Sequence, residues 1–527
     1  MKIPAFLKKQ TITQAALIIA IISFISKFFG FFREVLVAKY FGASSQTDAF
    51  LVAIIVPTLI LGLFASGFGT LIIPFYLEKK AQGQEVARSF VNAAFLVWGI
   101  IFIFIFILIF IFAPTFVRIV AYGFKGETFN LAVTLTRYLI ISGFFTVFVG
   151  MFTGLFHGEK QFFFPIFVIF LGNVGLVSSL LFLHRYLGIH SWTVGQIFCW
   201  GFAFFSMLVV LYRRHKFFHS LYYNQIDWSE IKRFAVLLLP LVISGSLSVL
   251  NQIVDKTIAS GLDAGSIAAL NFASRIWQVP ITLLATPIAI AVFPFFSEIA
   301  LNGFSKKEYE QKLNKTLGYM FYLIIPATFF IFFLAEPLVR LFFERGAFDS
   351  EATVLTSFVL KMYVLGLFAH AFSPVLLRVF YSFKNTLTPL IISTICIALN
   401  IILNIVLSKS MGAAGIALAT SIVMTANVLL FSLFLKKEIS VFSGNYKVVP
   451  VKIFICSLPI CIICYLSLPY LSDISSSTIS GFITLLVRLA LAGILSLISF
   501  LTLSRWLRLE QYEFIKNYTT NLIKRLI

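Results

Sequence analysis

The 527-residue chain is 60% hydrophobic and only 12% charged, whereas an average soluble domain is about 25% charged. This composition excludes a soluble enzyme, a secreted disulfide scaffold and a disordered protein, because none of them could hide so much apolar surface from water. It indicates a polytopic membrane protein. The charges are also unequal, with 41 Lys and Arg against 21 Asp and Glu and a net charge of +20.

Apolar runs long enough to cross a membrane follow one another along the whole chain. A helix needs about 20 apolar residues to cross the hydrocarbon core, and this criterion predicts about fourteen spans. Their extents are 11–38, 47–76, 89–113, 128–156, 162–184, 191–212, 231–255, 264–296, 315–336, 351–380, 386–408, 412–435, 449–470 and 480–505. The runs at 11–38, 47–76 and 264–296 exceed one bilayer thickness and contain Gly or Pro, which predicts bends or tilts there. The predicted fold class is an all-α polytopic membrane protein.

Basic residues in the connections between spans predict the orientation. Cytoplasmic loops of membrane proteins carry an excess of Lys and Arg. The even-numbered connections, such as the one that carries Arg213 and Arg214 after span 6, are richer in basic residues than the odd-numbered ones. Both termini are therefore expected in the cytoplasm, and the loops account for most of the positive excess. The basic and aromatic tail at 506–527 is expected to be an amphipathic cytoplasmic helix.

Landmarks in the first half of the chain recur 224 residues later in the second half. The matching pairs are Arg137 with Lys361, Phe156 with Phe380, Lys160 with Lys384, Pro165 with Pro389, and Gly188 with Gly412. The copies are six spans apart, and because six is even they keep one orientation, as in transporters with parallel repeats. We therefore predict an N-lobe at 1–220 (spans 1–6) and a C-lobe at 221–440 (spans 7–12), with spans 13 and 14 at 441–505 outside the repeat.

Ionisable residues inside apolar spans are rare and costly, so each is a candidate for function. The intramembrane cations are Lys27, Arg33, Arg137, Arg275, Lys361 and Arg378, and the fewer acids are Glu34, Asp48 and Asp255. A cavity lined by cations and poor in carboxylates suits an anionic substrate, and Arg forks match pyrophosphate. The cations are the predicted substrate-binding residues, and the acids are candidate charge partners or ion-coupling groups.

Several of these residues also have a structural interpretation. Arg33 and Glu34 could form an ion pair at the end of a helix. Arg137 and Lys361 could snorkel to the interface or bind a backbone carbonyl. Arg378 could be an ordinary cytoplasmic charge. These alternatives stay open at the level of the sequence.

Other function classes lack the residues that they need. An enzyme acting on a lipid phosphate requires paired acids, a metal-binding cluster or a His-rich loop, and a cation exporter requires central carboxylates. The six His show no ligand spacing, and the C-x-x-C at Cys461 and Cys464 lies in an apolar run, as packing residues do. No Walker-type nucleotide loop is present in the sequence. We predict a transporter, not an enzyme, with no catalytic residue, metal or cofactor.

Several motifs resemble those of the MurJ (MviN) lipid II flippases of the MOP exporter superfamily. Span 1 reads S-K-F-F-G-F-F-R-E over 26–34, and T-D-A-F follows over 47–50. Span 8 contains A-L-N-F-A-S-R over 269–275. The segment 378–389 reads R-V-F-Y-S-F-K-N-T-L-T-P, and G-I-A-L-A-T-S follows over 415–421. The resemblance covers most of the chain.

The resemblance implies two lobes around a cationic cavity, with spans 13 and 14 forming a lipid-tail groove. It implies alternating access that carries lipid II, an undecaprenyl pyrophosphate bearing a disaccharide-pentapeptide, to the outer leaflet of the bacterial inner membrane for cell-wall synthesis. Arg33 and Arg275 match family cations directly, whereas Lys27 stands where the family often has Arg and so keeps the charge but loses the fork.

Span 2 departs from the family pattern, because it lacks the Arg pair and the acid of many members. A flippase for another polyprenyl-linked oligosaccharide and a MATE-like cation or drug antiporter therefore remain alternatives. The expected partners are the lipid-linked substrate and membrane lipids. We expect no nucleic-acid partner, and we expect the chain to act as a monomer.

Overall fold

The computed structural model describes residues 12–218, 227–301, 305–436, 439–441, 444–472, 474, 478–514 and 516. Long α-helices joined by short turns make up nearly all of this part of the chain. The chain divides into two compact units, Met1–Gly265 and Ser266–Ile527. The boundary falls in the turn after the seventh long helix.

The first unit is built around two long helices that pack side by side, α3 and α6. Its helices are α1 (Ile12–Phe41), α2 (Ser45–Ala53), α3 (Leu61–Gln82), α4 (Gln84–Ile111), α5 (Ala113–Val120), α6 (Gly126–Gly158), α7 (Phe163–Leu187), α8 (His190–His215) and α9 (Trp228–Ala259). A π-helical segment, Ile55–Ile60, joins α2 to α3 around Pro57, whose missing N–H interrupts the α-helical ladder. Phenylalanine side chains, including the buried Phe148 and Phe152, fill the core between these helices.

The second unit repeats the helix order of α2–α8 and adds two further helices. Its helices are α10 (Ser266–Pro280), α11 (Thr286–Leu301), α12 (Lys306–Phe333), α13 (Ala335–Phe342), α14 (Ser350–Val364), α15 (Leu367–Ser382), α16 (Leu387–Met411), α17 (Ala413–Leu435), α18 (Val449–Ser472) and α19 (Ile479–Trp506). A second π-helical segment, Ile281–Ala285, follows Pro280 and joins α10 to α11. α18 and α19 pack on each other and on α12.

The helices are long and apolar enough to form a membrane domain. Within the described residues, eleven pass the length and hydropathy criteria for a span, and the bent pair α14–α15 makes a twelfth. α1 and α9 lie over the remaining two predicted spans. The all-helical membrane fold is therefore confirmed, whereas the exact count of fourteen spans is not.

The internal repeat is visible in the helix boundaries. Both ends of α7 and α16 are 224 residues apart, and so are the outer ends of α6 and the α14–α15 pair. The eight-residue helices α5 and α13 also correspond, since each directly follows a 28-residue helix, α4 or α12. The helix boundaries thus repeat between the two copies, and α18 and α19 lie outside the repeat.

Backbone conformations repeat as well. Lys160 and Lys384 both adopt the left-handed conformation, with φ of 59° and 57°. In each copy the residue after the lysine donates its N–H to the carbonyl four residues before the lysine, at 2.8 and 3.0 Å. This is the Schellman turn that ends a helix. Gly188 and Gly412 also share one conformation, with φ of 52° and 57°.

The tenth predicted span is bent by 43° where α14 meets α15. At the bend, the Ser421 hydroxyl on α17 donates to the carbonyls of Met362 (2.6 Å) and Tyr363 (3.0 Å). A Cβ on Gly366 would lie 2.6 Å from the Cα of Ser421, so only glycine permits this approach. The bend is therefore held by a neighbouring helix.

Helix α9, predicted to begin the C-lobe, packs on α3 within the first unit. The Phe234 ring lies 5.4 Å from that of Phe68. At the same end of α9, Arg233 Nη1 lies 3.0 Å from Glu78 Oε1. The predicted lobe limits at 220 and 440 stay predictions.

The residues after α19 contact the start of α12. Glu510 pairs with Lys315 at 2.5 Å, and the Phe514 ring lies 4.8 Å from that of Tyr319. Gln511 is buried beside Gly318. The rest of the predicted tail lies outside the described residues, except for Lys516.

Candidate functional site

The cations of the first span lie on the last part of α1. Lys27 is exposed, and Arg33, six residues further on, is 22% exposed. Arg33 Nη2 donates to Glu34 Oε1 at 2.8 Å, and the Glu34 side chain is only 1% exposed. The buried Arg33 Nε has no acceptor among the described residues. The Arg33 guanidinium therefore has an internal counter-ion and still has an unused donor.

Asp48 fixes the end of the first unit. It lies buried in the first turn of α2, and its Oδ2 accepts a hydrogen bond from the Gly265 N–H at 2.7 Å. Gly265 has a φ of 90°, and a Cβ there would collide with the Ala43 carbonyl. This contact orders the last residue before the second unit.

Asp255, the third acidic candidate, is half-buried near the end of α9. The adjacent Lys256 donates from Nζ to the Leu51 carbonyl at 2.8 Å. Leu51 lies in the last turn of α2, just before the π-helical segment. Lys256 is not among the residues predicted from the sequence, although its position beside Asp255 at the end of a span was a usable signal.

Arg137 binds a helix end. Its Nε donates to the Phe110 carbonyl at 3.2 Å, and its guanidinium lies 5.4 Å from the centre of the Phe110 ring. Phe110 is in the last turn of α4, so Arg137 supplies a donor to a carbonyl that the helix leaves unpaired. The structure thus places Arg137 in the carbonyl-binding role that the sequence left open.

The repeat counterpart of Arg137 has different surroundings. Lys361 is half-buried on α14, and among the described residues no hydrogen bond or ion pair engages its ammonium.

Arg275 lies on α10, half-buried, with Nη2 at 3.4 Å from Asn271 Oδ1 one turn earlier. A neutral amide therefore contributes to the orientation of Arg275.

Arg378 and His370 lie on α15. Arg378 is half-buried, and within the described part of the chain its buried Nη1 has no acceptor. The half-buried His370 ring packs edge-on against Trp277 at 4.6 Å, and Trp277 stacks on Tyr363 at 5.5 Å. His370 therefore has the packing role that its apolar sequence surroundings indicate.

The structure brings some predicted residues together and leaves others apart. Arg33 and Glu34 form a pair in the first unit, whereas Arg137 and Asp48 bind backbone groups. In the second unit, Arg275, Lys361 and Arg378 lie on three different helices. Arg488, which lies inside α19, is also absent from the residues predicted from the sequence. Its single charge in a long apolar run was the signal.

Comparison with known proteins identifies the family. The model of the lipid II flippase MurJ family matches residues 37–487. The chain belongs to the MurJ family. It is 27% identical to a probable lipid II flippase MurJ of Rickettsia prowazekii over 453 residues, which cover 85% of this chain and 88% of that protein. It is 28% identical to the lipid II flippase MurJ of Thermosipho africanus over 80% of this chain and 85% of that protein.

Solved structures show the same architecture. A lipid II flippase MurJ in an inward closed conformation superposes with a TM-score of 0.77 at 29% identity, covering 93% of this chain and 99% of that one. An inward-facing MATE-family multidrug transporter of the MOP superfamily superposes with a TM-score of 0.66 at 16% identity, over 80% of this chain and 97% of that one. The second likeness shows the fold alone. With its apolar helices, this family membership indicates a multi-pass protein of the inner membrane.

Proposed function

We propose that this chain moves lipid II from the cytoplasmic to the outer leaflet of a bacterial inner membrane. The observation that carries the proposal is the carboxylate-poor set of half-buried cations at positions of the family motifs, above all Arg33 and Arg275. A guanidinium donates two parallel hydrogen bonds to a phosphate, which makes arginine well suited to pyrophosphate.

The unused donors support an anionic ligand. Arg33 Nε and Arg378 Nη1 are buried, and neither has an acceptor among the described residues. Buried donors in native proteins are nearly always satisfied, so such atoms point to a ligand or water. We assign substrate contacts to Arg33, Arg275, Lys361 and Arg378, and we place Lys27 at the entrance because its side chain is exposed.

Asp48 and Arg137 have structural roles, because each binds a backbone group. Asp48 holds the Gly265 amide, and Arg137 holds the end of α4. We propose that neither contacts the substrate directly. Glu34 sets the orientation of Arg33 through their ion pair. Asp255 stays a candidate for ion coupling.

Transport follows if the headgroup binds the two conformations of the protein with different affinity, because only differential affinity shifts a conformational equilibrium. The membrane potential acts on the same intramembrane charges. We propose that the chain works as a monomer with both termini in the cytoplasm. It catalyses no covalent step and binds no nucleic acid.

The deciding experiment depletes the protein in its own host and identifies the lipid-linked precursor that accumulates on the cytoplasmic leaflet. Accumulation of lipid II is the expected result. Accumulation of a different polyprenyl-linked oligosaccharide would reassign the substrate. Unchanged precursors together with retention of a cationic drug would indicate the antiporter alternative.

Variants of the two motif arginines test the site. Arg33→Ala and Arg275→Ala should each lower lipid II transport in reconstituted vesicles by at least about tenfold, since each removes charge-assisted hydrogen bonds to the pyrophosphate. Arg33→Lys, which keeps the charge but not the fork, should be intermediate. Arg185→Ala is the matched control, because Arg185 is an exposed arginine in the last turn of α7. Equal transport by parent and both alanine variants would contradict the assigned site.

A further inference from the structure

Three arginines meet where the α18–α19 hairpin turns, at the end of these helices opposite to the C-terminal tail. Arg340 lies on the short helix α13, Arg345 follows that helix, and Arg488 lies on α19. If both termini are cytoplasmic, as proposed above, this end faces the outer leaflet. Arginines there oppose the usual bias of basic residues to the cytoplasmic side.

Arg340 has a structural role that uses its donors. It is 13% exposed and pairs with Glu336 at 2.7 Å and Glu344 at 3.4 Å. Its Nη1 also donates to the Leu471 carbonyl at 3.3 Å, near the end of α18. Arg340 therefore ties α13 to the hairpin, and both nearby glutamates are engaged by it.

Arg345 has no such acid. Its Nη2 donates to the Leu341 carbonyl, and its guanidinium lies 5.3 Å from the centre of the Phe482 ring on α19. Its buried Nε has no acceptor among the described residues, and none of their carboxylates pairs with it. Burial lowers the pKa of this guanidinium, although an arginine stays charged at neutral pH.

Arg488 lies within the span itself. It is nine residues from the start of α19, or about 13 Å along the helix. Its Nη1 donates to the Tyr470 carbonyl at 2.5 Å, and the rest of the exposed guanidinium makes no ion pair within the described residues. An arginine at this depth is costly unless its head reaches polar groups.

These contacts place the guanidinium groups at one helix end. Tyr470 and Leu471 are adjacent, and their carbonyls accept from Arg488 and Arg340. Arg345 is joined to the same hairpin through Phe482. The charges of Arg345 and Arg488 are uncompensated by any described carboxylate. Asp473, in the turn between the helices, lies outside the described residues.

We propose that Arg345 and Arg488 form a binding site for the phosphate of a lipid headgroup. The surrounding side chains are apolar and exposed, with Tyr470 at 70%, Ile479 at 82% and Ile483 at 52%. Such a rim suits a ligand that carries acyl or prenyl chains, and the arginine forks suit its phosphate oxygens. The site is separate from the cations assigned to transport, and its existence does not depend on the proposed function.

Two lipids carry this chemistry, an anionic phospholipid such as phosphatidylglycerol and a polyprenyl pyrophosphate. Native mass spectrometry of the full-length protein in detergent, titrated with either lipid, distinguishes them. The parent for this test carries Arg33→Ala and Arg275→Ala, so that the two motif arginines of the proposed transport site do not contribute. A failure of the proposed function would leave the measurement valid.

The test variants are Arg345→Gln, Arg488→Gln and the double variant. Glutamine keeps an N–H donor for the Leu341 and Tyr470 carbonyls, so the local fold has a replacement contact. Each single variant should weaken binding about tenfold, and the double variant more, because each loses a charge-assisted fork. Arg505→Gln, at the other end of α19, is the matched control and should bind like the parent.

A loss confined to one lipid supports the site and names its ligand, and a loss for both supports a general phosphate site. Unchanged binding by the double variant overturns the proposal, as does an equal loss in Arg505→Gln. The alternative is that the arginines only form ion pairs with Asp473. In that case Asp473→Asn will destabilise the protein as much as the double arginine variant does, while the double arginine variant binds lipid like the parent. That outcome also overturns the proposal.

Discussion

The fourth span of the first copy of the repeat and its counterpart in the second copy have the same length but different shapes. α6 is a single helix of 33 residues, whereas the equivalent stretch is divided into α14 and α15, which meet at 43°. Both end in the same Schellman turn. The difference therefore arises in the middle of the helix.

Two substitutions between the copies explain the bend. Ser421, which binds two carbonyls at the bend, corresponds to Ile197 in the first copy, and Ile has no hydroxyl to donate. Gly366 corresponds to Ser142, whose hydroxyl donates to a carbonyl of its own helix. Two side chains can thus change one copy of a repeat while its ends stay fixed.

The bend also separates two candidate cations. Lys361 precedes it and Arg378 follows it, whereas α6 carries only Arg137. A change in the bend angle would move Lys361 relative to Arg378 without unfolding either helix. The second copy therefore has a means of adjusting its cations that the first copy lacks.

The largest expected effect comes from Gly366→Ala. The new methyl group would lie 2.6 Å from the Ser421 Cα, and such overpacking costs about 3 kcal/mol of unfolding free energy. Unfolding in SDS can be followed with a thiol-reactive dye, because four of the five cysteines are buried. Ser142→Ala, at the equivalent position of α6, is the control and should change stability by less than about 1 kcal/mol. Equal losses would show that close packing at Gly366 does not matter.

Ser421→Ala should have the next largest effect. The Met362 and Tyr363 carbonyls lose the hydroxyl that they share, although Tyr363 keeps the Gly366 N–H as a donor, and the loss costs about 1.5 kcal/mol. The span should also straighten, and the distance between spin labels at the exposed Glu351 and Tyr381 should grow by about 3 Å. Ser432→Ala, on the same helix, removes a hydroxyl that bonds only to its own helix and should leave that distance unchanged. A constant distance in Ser421→Ala would refute the role of its hydroxyl.

Arg137→Gln and Lys361→Gln separate a structural cation from a transport cation. Arg137→Gln should lower stability by about 1 kcal/mol through the lost contact with the Phe110 carbonyl. Lys361→Gln should leave stability unchanged and lower lipid II transport, since its ammonium has no bond to lose within the described residues. Unfolding midpoints and vesicle transport measured on the same preparations check both. Unchanged stability with lower transport in Arg137→Gln, and lower stability with normal transport in Lys361→Gln, would show that Arg137 is the transport cation and Lys361 the structural one.

The smallest effect is expected at the shared helix ends. Lys160→Gly and Lys384→Gly remove the penalty of a left-handed backbone for a residue with a Cβ, which should stabilise each copy by about 0.5 kcal/mol after the entropy of glycine is counted. Lys160→Ala and Lys384→Ala, which keep the penalty, should show no gain. Unequal gains at the two lysines would mean that the turns are less alike than their backbones indicate.

The predictable part of this structure is the part that depends on local composition. Long apolar runs predict the spans, because a span depends on its own residues. The matched landmarks, including the lysines at 160 and 384, predict the repeat. The bend at Gly366 was not predictable, since its cause lies 55 residues away on α17. The bend depends on which helix packs against it, and the sequence does not give that packing.

The candidate site was predictable in residue type but not in partner. An intramembrane charge stands out from an apolar sequence, which is how Arg33, Arg137 and Arg275 were found. The carbonyl that engages Arg137 lies on another helix, 27 residues away, and carbonyls carry no sequence signal. Whether a buried cation holds the scaffold or binds substrate therefore depends on tertiary contacts.

The π-helical segments bear on how the two copies diverged. Val56-Pro57 matches Val279-Pro280 in the second copy, and Pro74-Phe75 matches Pro294-Phe295. The two prolines are 17 residues apart in the first copy and 14 apart in the second, so the copies differ by three residues beside a π segment. Three residues turn a helix by about 300°, which is within about 60° of a full turn. Such an insertion or deletion leaves the lipid-facing side nearly where it was. Ancestral duplicates could therefore change length at this point without exchanging their inner and outer surfaces.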